Sequence, residues 1–291
     1  MSIERDSQFI GVNTFVIALE SAPRNLNLLH QLKEQKISFQ LVNAIDGRFW
    51  RAPFNTELVD AEVFTSILGR APKGAEIGCA LSHMECIQQA KLQDLDFALV
   101  FEDDADVITD LKPIIENIKS LDDGQPMIFQ LHSYSDSLIK RRTLRKSLSS
   151  DSQVLGEFFK PPRSTAAYCI NRAAIEIYSQ HRIVQGVADW PPFANSFKFW
   201  GFFPCPVMLS GSPSTIESTE GAKVVHPRKN YSVIIRDFLR LFSKSNFKAY
   251  GKSLGGKKRY IKYVIIPSFI YLFTFYRTKH HGFAPHTYRT R

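Results

Sequence analysis

Apolar and polar positions change period several times in the first hundred residues, and each change marks an element. Asn13-Thr-Phe-Val-Ile-Ala-Leu-Glu20 is a nearly unbroken apolar, β-branched run, which predicts a strand buried on both faces. After the break Ser21-Ala-Pro-Arg24, residues Leu26, Leu29, Leu32 and Ile37 recur at near-helical spacing. Phe39-Gln-Leu-Val-Asn-Ala-Ile45 predicts a second strand, stopped by the turn dipeptide Asp46-Gly47. A β-α-β unit of this kind implies a parallel sheet, a right-handed crossover and a ligand crevice at the carboxyl ends of the strands.

The next helix spans Gly74 to Gln93, beginning near Ala75 and turning Ile77, Leu81, Met84 and Ile87 or Ala90 inward. The strand Phe97-Ala-Leu-Val-Phe101 follows and runs directly into Glu102-Asp-Asp-Ala-Asp106. Further strands are predicted at Met127 to His132 and Ala166 to Ile170, the latter followed by a helix from Arg172 to His181. Lys140 to Ser152, rich in Lys, Arg and Ser, reads as an exposed loop. Trp190-Pro-Pro, Phe203-Pro-Cys-Pro206 and Gly211-Ser-Pro213 predict sparse regular structure in the later stretch.

At 291 residues and 44% hydrophobic, the chain is long and apolar enough for one large α/β domain or two small ones. Wholesale disorder and fixed-period repeat architectures are excluded. No CxxC pair occurs among Cys79, Cys86, Cys169 and Cys205, so the cysteines read as buried, reduced thiols rather than zinc ligands. The N-terminus lacks the apolar stretch of a secretory signal, which predicts a cytoplasmic protein.

Charge separates a tail from a body. From Asn230 onward thirteen Lys and Arg face the single acid Asp237, a surplus of +12, whereas the whole chain carries +9, so residues 1–229 sum to −3. Within that tail, Tyr263 to Tyr276 is an aromatic-rich apolar run of 14 residues interrupted by Pro267 and flanked by Lys257, Lys258, Arg259, Lys262, Arg277 and Lys279. It is too short to span a bilayer, which needs about 20 residues. It suits an interfacial element, rings in the acyl boundary and cations on anionic headgroups. No nucleic-acid-binding motif accompanies the charge, so nucleic acid is not expected as a partner.

Consecutive carboxylates at the tip of an apolar strand oppose one another's ionisation unless a cation sits against them. Hard oxygen ligands there suit Mg2+ or Mn2+, an ion that commonly holds the phosphates of a nucleotide.

The series Phe15-Val-Ile-Ala-Leu-Glu-Ser-Ala-Pro-Arg24, Ala44-Ile-Asp-Gly47, Gly74-Ala-Glu-Ile-Gly-Cys-Ala-Leu-Ser-His83 and Ala98-Leu-Val-Phe-Glu-Asp-Asp104 resembles glycosyltransferase family 25, with Ser164-Thr-Ala-Ala-Tyr-Cys-Ile170 and Asp189 resembling weaker second-half motifs. Bacterial members of that family build lipooligosaccharide, often as β-galactosyltransferases. The resemblance implies a nucleotide-sugar-dependent, inverting transferase with a GT-A-like α/β fold, mostly parallel in its central sheet. A catalytic domain is expected over residues 1–229; beyond about Asn230 the resemblance carries no information, and 230–291 is expected at a membrane surface from its charge and apolar run alone.

By position, the acidic motif that holds the metal and donor diphosphate falls on Glu102, Asp103 and Asp104, with Asp104 the first choice for direct coordination and Asp106 a further candidate. Arg24 is expected to contact the donor's diphosphate or ribose, and Asp46 its ribose or base. Glu76, Ser82 and His83 are expected to form a wall of the site, since Glu76 and His83 lie two helical turns apart on one face. Inversion needs a general base; Asp189, beside Trp190, is the candidate, with Trp190 as a sugar-stacking platform and Glu217 and Glu220 as alternatives. His226 is a further candidate metal ligand. The expected activity is transfer of a hexose, galactose from UDP-galactose foremost, to a lipid-linked oligosaccharide at the inner face of the inner membrane. The rivals are a non-catalytic carbohydrate- or lipid-binding protein and a metal-dependent phosphohydrolase.

Overall fold

The computed structural model describes residues 12–20, 26–133, 141–146, 154–158 and 161–210. Its centre is a sheet of eight strands: β1 (Val12–Ala18), β2 (Gln40–Asn43), β3 (Phe97–Glu102), β5 (Met127–Gln130), β6 (Arg141–Lys146), β7 (Val154–Phe158), β8 (Ala167–Asn171) and β9 (Lys198–Phe203). Their order is β2-β1-β3-β8-β5-β9-β7-β6. A two-stranded ribbon of β4 (Ala105–Val107) and β10 (Val207–Leu209) continues from the end of β3.

Pairings β1–β2, β1–β3 and β5–β9 are parallel. β8 lies antiparallel between β3 and β5, and β7 antiparallel between β9 and β6. Strands β1, β2, β3, β5, β6 and β9 therefore run one way, while β7 and β8 oppose them. The architecture is mixed α/β with mostly parallel strand directions, and the β-α-β unit read from the first fifty residues forms its parallel edge.

Side chains alternate between two cores, as a sheet covered on both faces requires. Along β3, Phe97, Leu99 and Phe101 enter one core and Ala98 and Val100 the other. The first core takes Leu28 and Leu32 from α1 (Leu26–Glu34) and Ile114, Ile115 and Ile118 from α4 (Lys112–Leu121). The second takes Cys86, Ile87 and Ala90 from α3 (Gly74–Leu92) and Ala174 and Ile175 from α5 (Arg172–Tyr178). Phe101, Phe129 and Phe202 are fully buried, and truncating any of them to Ala should cost about 3–5 kcal/mol. A third cluster seats Phe64 of α2 (Ala61–Leu68) on Ile77 and Ala80 of α3.

Two expectations are corrected. Residues 141–146, expected in a loop, form β6, an edge strand paired with β7; basic residues on an edge strand oppose further strand addition, so the same composition serves either role. The later, proline-punctuated stretch contains β9, a strand inside the sheet whose Phe199, Trp200 and Phe202 are buried. Its prolines, Pro191, Pro192 and Pro204, stand outside the strand, where no ladder bond is lost. Among the described residues no helix is long and apolar enough to cross a membrane. Arg24, Glu217, Glu220, His226 and the basic segment 230–291 lie outside the described residues.

Candidate functional site

A pocket opens at the carboxyl ends of the three parallel strands β1, β2 and β3. Its wall is made by Ala18 at the end of β1 and Leu19 after it, Asp46 and Arg48 after β2, Cys79, Ser82 and His83 of α3, and Glu102 at the end of β3 with Asp103 next to it. This is the place where an open α/β sheet gathers ligands, because loops leave neighbouring strands there and helix starts face them.

Three glycines close the wall. A Cβ on Gly78 would fall inside contact distance of the Ile45 carbonyl and the Gly47 nitrogen, and one on Gly47 would meet the Gly74 carbonyl. Only backbone without side chains lets the turn after β2 lie directly on the first turns of α3, which explains the glycines of the Ala44–Gly47 and Gly74–Gly78 segments. Ser82 bolts the same contact: its Oγ accepts from Ile45 N–H at 2.8 Å and donates to the Gly78 carbonyl at 2.7 Å. Ser82 thus lines the pocket as a clamp between β2's turn and α3.

Asp46 accepts a bidentate pair from Arg48, Nε at 2.8 Å and Nη2 at 2.6 Å. The guanidinium beside it holds the Asp46 carboxyl below its ordinary range, and the pair fixes Arg48 as a planar cation on the pocket wall. Glu76, by contrast, is absent from the pocket lining. Its carboxylate accepts from Arg70 Nη1 at 2.9 Å and from the Lys73 N–H at 3.1 Å, which caps the start of α3.

Glu102 is the hub of a polar chain. Its Oε1 accepts from His83 Nε2 at 3.2 Å and from Thr165 Oγ1 at 2.9 Å. An ionised carboxylate only accepts, so His83 donates from Nε2, and its Nδ1 accepts from the Tyr168 hydroxyl at 3.2 Å. Burial pushes the Tyr168 hydroxyl well up, which keeps that donor protonated. Burial opposes ionisation of Glu102, but the hydrogen bond from His83, with the Thr165 bond, holds its carboxyl below the usual value.

Thr165 also reaches Asp189, Oγ1 to Oδ1 at 3.4 Å. Burial first, and the Glu102 charge second, raise the Asp189 carboxyl above its ordinary value, against the bonds from the Ser164 N–H and Thr165. Ser164 and Trp190, the residues beside this pair, both take positive φ, 102° and 67°, costly backbone that clusters at functional sites. Trp190 is buried against Tyr168 and Phe199, ring centroids 5.1 Å apart in each case. It therefore desolvates Asp189 and presents no open face for a sugar, which corrects the stacking role expected for it. His132, also buried, contacts Ser164 Oγ through Nδ1 at 2.7 Å.

The acidic run divides by position. Asp103, largely buried, lines the pocket with Glu102, and Asp104 shares the turn that joins β3 to β4. Asp106 faces α1 instead: its Oδ1 accepts from Asn27 Nδ2 at 2.9 Å and from Gln31 Nε2 at 2.5 Å. Carboxylate oxygens of Asp103 and Asp104 at a strand tip are the donors that Mn2+ or Mg2+ takes, so the residues present fit the ion implied by the sequence.

Sequence reading missed Arg48, Cys79, Thr165 and Tyr168. Cys86, Cys169 and Cys205 are buried free thiols as expected, while Cys79 is partly exposed on the pocket wall. Thr165 and Tyr168 belong to the segment Ser164–Ile170, whose signal lay in its motif.

No curated protein matches the chain. Among solved structures it is similar to a protein from STIV (10% identity, 65% of this chain and 80% of that one, TM-score 0.36). It is also similar to a glycosyltransferase involved in the glycosylation of the major capsid of PBCV-1 (14% identity, 58% and 64%, TM-score 0.29). A third is HddC from Yersinia pseudotuberculosis complexed with GMP-PN (16% identity, 69% and 95%, TM-score 0.34). The sequence model of glycosyltransferase family 25, described as LPS biosynthesis protein, matches residues 12–181. That span holds the pocket's strand ends, the glycine-closed wall, His83 and the acidic turn, and on it the chain belongs to glycosyltransferase family 25.

Proposed function

We propose that this glycosyltransferase inverts the anomeric centre of a UDP-hexose, foremost UDP-galactose, as it transfers the sugar to a lipid-linked lipooligosaccharide or lipopolysaccharide acceptor at the cytoplasmic membrane surface. The observation that carries the reading is the pocket at the carboxyl ends of β1, β2 and β3, which brings Arg48, His83, Glu102 and Asp103 to one wall. Such a crevice in a GT-A-like sheet suits a nucleotide diphosphate.

Asp103 and Asp104 are the residues that would hold Mn2+ or Mg2+; when bound, the ion supplies charge neutralisation to a departing diphosphate. Arg48 gives a fixed guanidinium to phosphate oxygens. His83, oriented by Tyr168 and Glu102, presents its ring at the pocket wall. Asp189, with its carboxyl raised by burial and by Glu102, is suited to take the acceptor hydroxyl's proton while the sugar is attacked from the face opposite the leaving UDP.

The test is a screen of UDP-sugars with the purified chain, Mn2+ and lipooligosaccharide acceptors, with products read by mass spectrometry and the anomeric configuration by NMR. Transfer from one UDP-hexose with inversion is expected. Retention of configuration, or release of phosphate from the nucleotide without any acceptor, overturns the reading, the second in favour of a phosphohydrolase.

A further inference from the structure

The pocket holds a second set of ligand atoms of a different chemical character. Cys79 and His83 stand four residues apart on α3 and so share one face, and Glu102 ends β3 against that face. The Cys79 thiol, a His83 ring nitrogen and a Glu102 oxygen all lie within 4.8 Å of one another, the one such three-ligand convergence of His, Cys and acidic side chains among the described residues. We propose that Cys79, His83 and Glu102 form a site for a borderline-soft divalent cation of the zinc class, separate from the hard-ion donors Asp103 and Asp104.

Donor chemistry selects the ion. A thiolate, an imidazole and one carboxylate match Zn2+, whereas Mg2+ and Mn2+ prefer oxygen alone. Ligand bonds of about 2.0–2.3 Å place tetrahedral ligand atoms about 3.5 Å apart. His83 Nε2 and Glu102 Oε1 already stand at 3.2 Å, and the Cys79 thiol lies within 4.8 Å of a ligand atom on each. The outer partners that hold zinc ligands in place are present: Tyr168 on the other nitrogen of His83 and Thr165 on Glu102. All three residues line the pocket, which leaves room there for a fourth ligand from solvent, the open coordination seen where zinc is not purely structural.

Binding forms a Zn–S bond as the Cys79 thiol proton leaves to solvent. The imidazole stays neutral: Nε2 coordinates in place of its proton, and Nδ1 carries one instead. An ion so placed stands beside Asp103 on the pocket wall and blocks it, so Zn2+ is expected to inhibit transfer. That consequence rests on the proposed function; the binding itself does not.

The experiment therefore reads binding without substrates. The full chain is titrated with Zn2+ against a chromophoric chelator, and separately with Co2+ in an absorption spectrometer. One equivalent of Zn2+ is expected, with affinity lowered at least about tenfold in Cys79→Ser, and Co2+ should give a thiolate-to-cobalt charge-transfer band that Cys79→Ser removes. Equal Zn2+ affinity in Cys79→Ser, or a Co2+ complex of the wild type without that band, overturns the site. The wild-type spectrum decides the matter even if the variant fails to fold, since circular dichroism of Cys79→Ser reports that failure separately. If zinc binds as expected but the UDP-sugar screen finds no transfer, the function fails and the site stands.

Discussion

Glu102 and Asp189 are joined through one hydroxyl: Thr165 Oγ1 lies 2.9 Å from the first carboxylate and 3.4 Å from the second. A single hydroxyl hydrogen serves one acceptor at a time, and the shorter distance assigns it to Glu102. Asp189 is left the less well compensated of two neighbouring carboxyls, and buried, so its pKa rises while that of Glu102 falls. Two carboxyls pushed apart by their surroundings divide acid and base duties in the way enzymes commonly arrange.

The first prediction follows from that division. Asp189→Asn should lower turnover about 10²- to 10⁴-fold with little change in donor affinity, the usual worth of a general base. A base must be ionised to act, so wild-type kcat/KM should fall as pH drops through a value above the ordinary carboxylate pKa of about 3.9. Glu102→Gln removes the negative neighbour that helps raise Asp189, and should move this acid limb to lower pH. A pH–rate profile of the three proteins checks it; an unmoved limb in Glu102→Gln would separate the two residues.

The acidic turn gives the second. On the proposed function, Asp104→Ala should abolish metal-dependent transfer while leaving the melting temperature near that of wild type, since the residue stands in the turn between β3 and β4 and enters neither core. Asp106→Ala should behave in the opposite sense. Its bonds to Asn27 and Gln31 tie β4 to α1, so it should lose about 1–2 kcal/mol of stability with no change in the Mn2+ concentration needed for half-maximal activity. Thermal melts and Mn2+ titrations of both variants distinguish the roles.

These contrasts show what the chain makes legible. Strands β1 and β3 announce themselves because both faces are buried and each carries an unbroken apolar run, Phe15 to Ala18 and Phe97 to Phe101, and α3 because its glycines and its Ser-His pair sit in one continuous motif. β6 and β9 hide, one behind the charge of an edge strand and the other between prolines that flank it. Within the acidic run, the side chains of Glu102, Asp103 and Asp106 are chemically alike, and only the fold turns two toward the pocket and one toward α1. Thr165 and Cys79 stand inside legible motifs but gain their significance from partners far along the chain, on β3 and in the loop before Trp190, which those motifs do not name.

His132 carries the third prediction. It is 4% exposed, and burial lowers its pKa to about 4 against a partial offset from Glu102. Between about 6.5 and that value the unfolded chain binds a proton that the native ring refuses, so stability must fall as pH falls through this window. The full loss from this group is roughly 3 kcal/mol, at about 1.4 kcal/mol per pH unit. Denaturant unfolding at pH 7 and pH 4.5 should show the decline, and His132→Gln should flatten the part of it that His132 supplies, whatever that variant costs at neutral pH. An equal slope in the variant would assign the acid sensitivity to the carboxylates.

The basic tail separates recruitment from chemistry. Truncation after Asn230 removes a charge of +12 and the whole Tyr263 to Tyr276 apolar run, yet leaves every described strand and helix and the full span matched to the family. Lysine and arginine near an anionic surface contribute about 1 kcal/mol each, and salt screens that attraction over a Debye length of about 8 Å at physiological ionic strength. The full chain should therefore sediment with vesicles containing anionic lipid in a salt-sensitive manner, and the truncated chain should stay in the supernatant at any salt. Transfer to a short soluble acceptor should survive the truncation, because Asp103, Asp104, His83 and Asp189 all remain. Loss of the cooperative melting transition on truncation would place the apolar run in a core, and unchanged vesicle binding by a folded truncated chain would place the membrane determinant within residues 1–230.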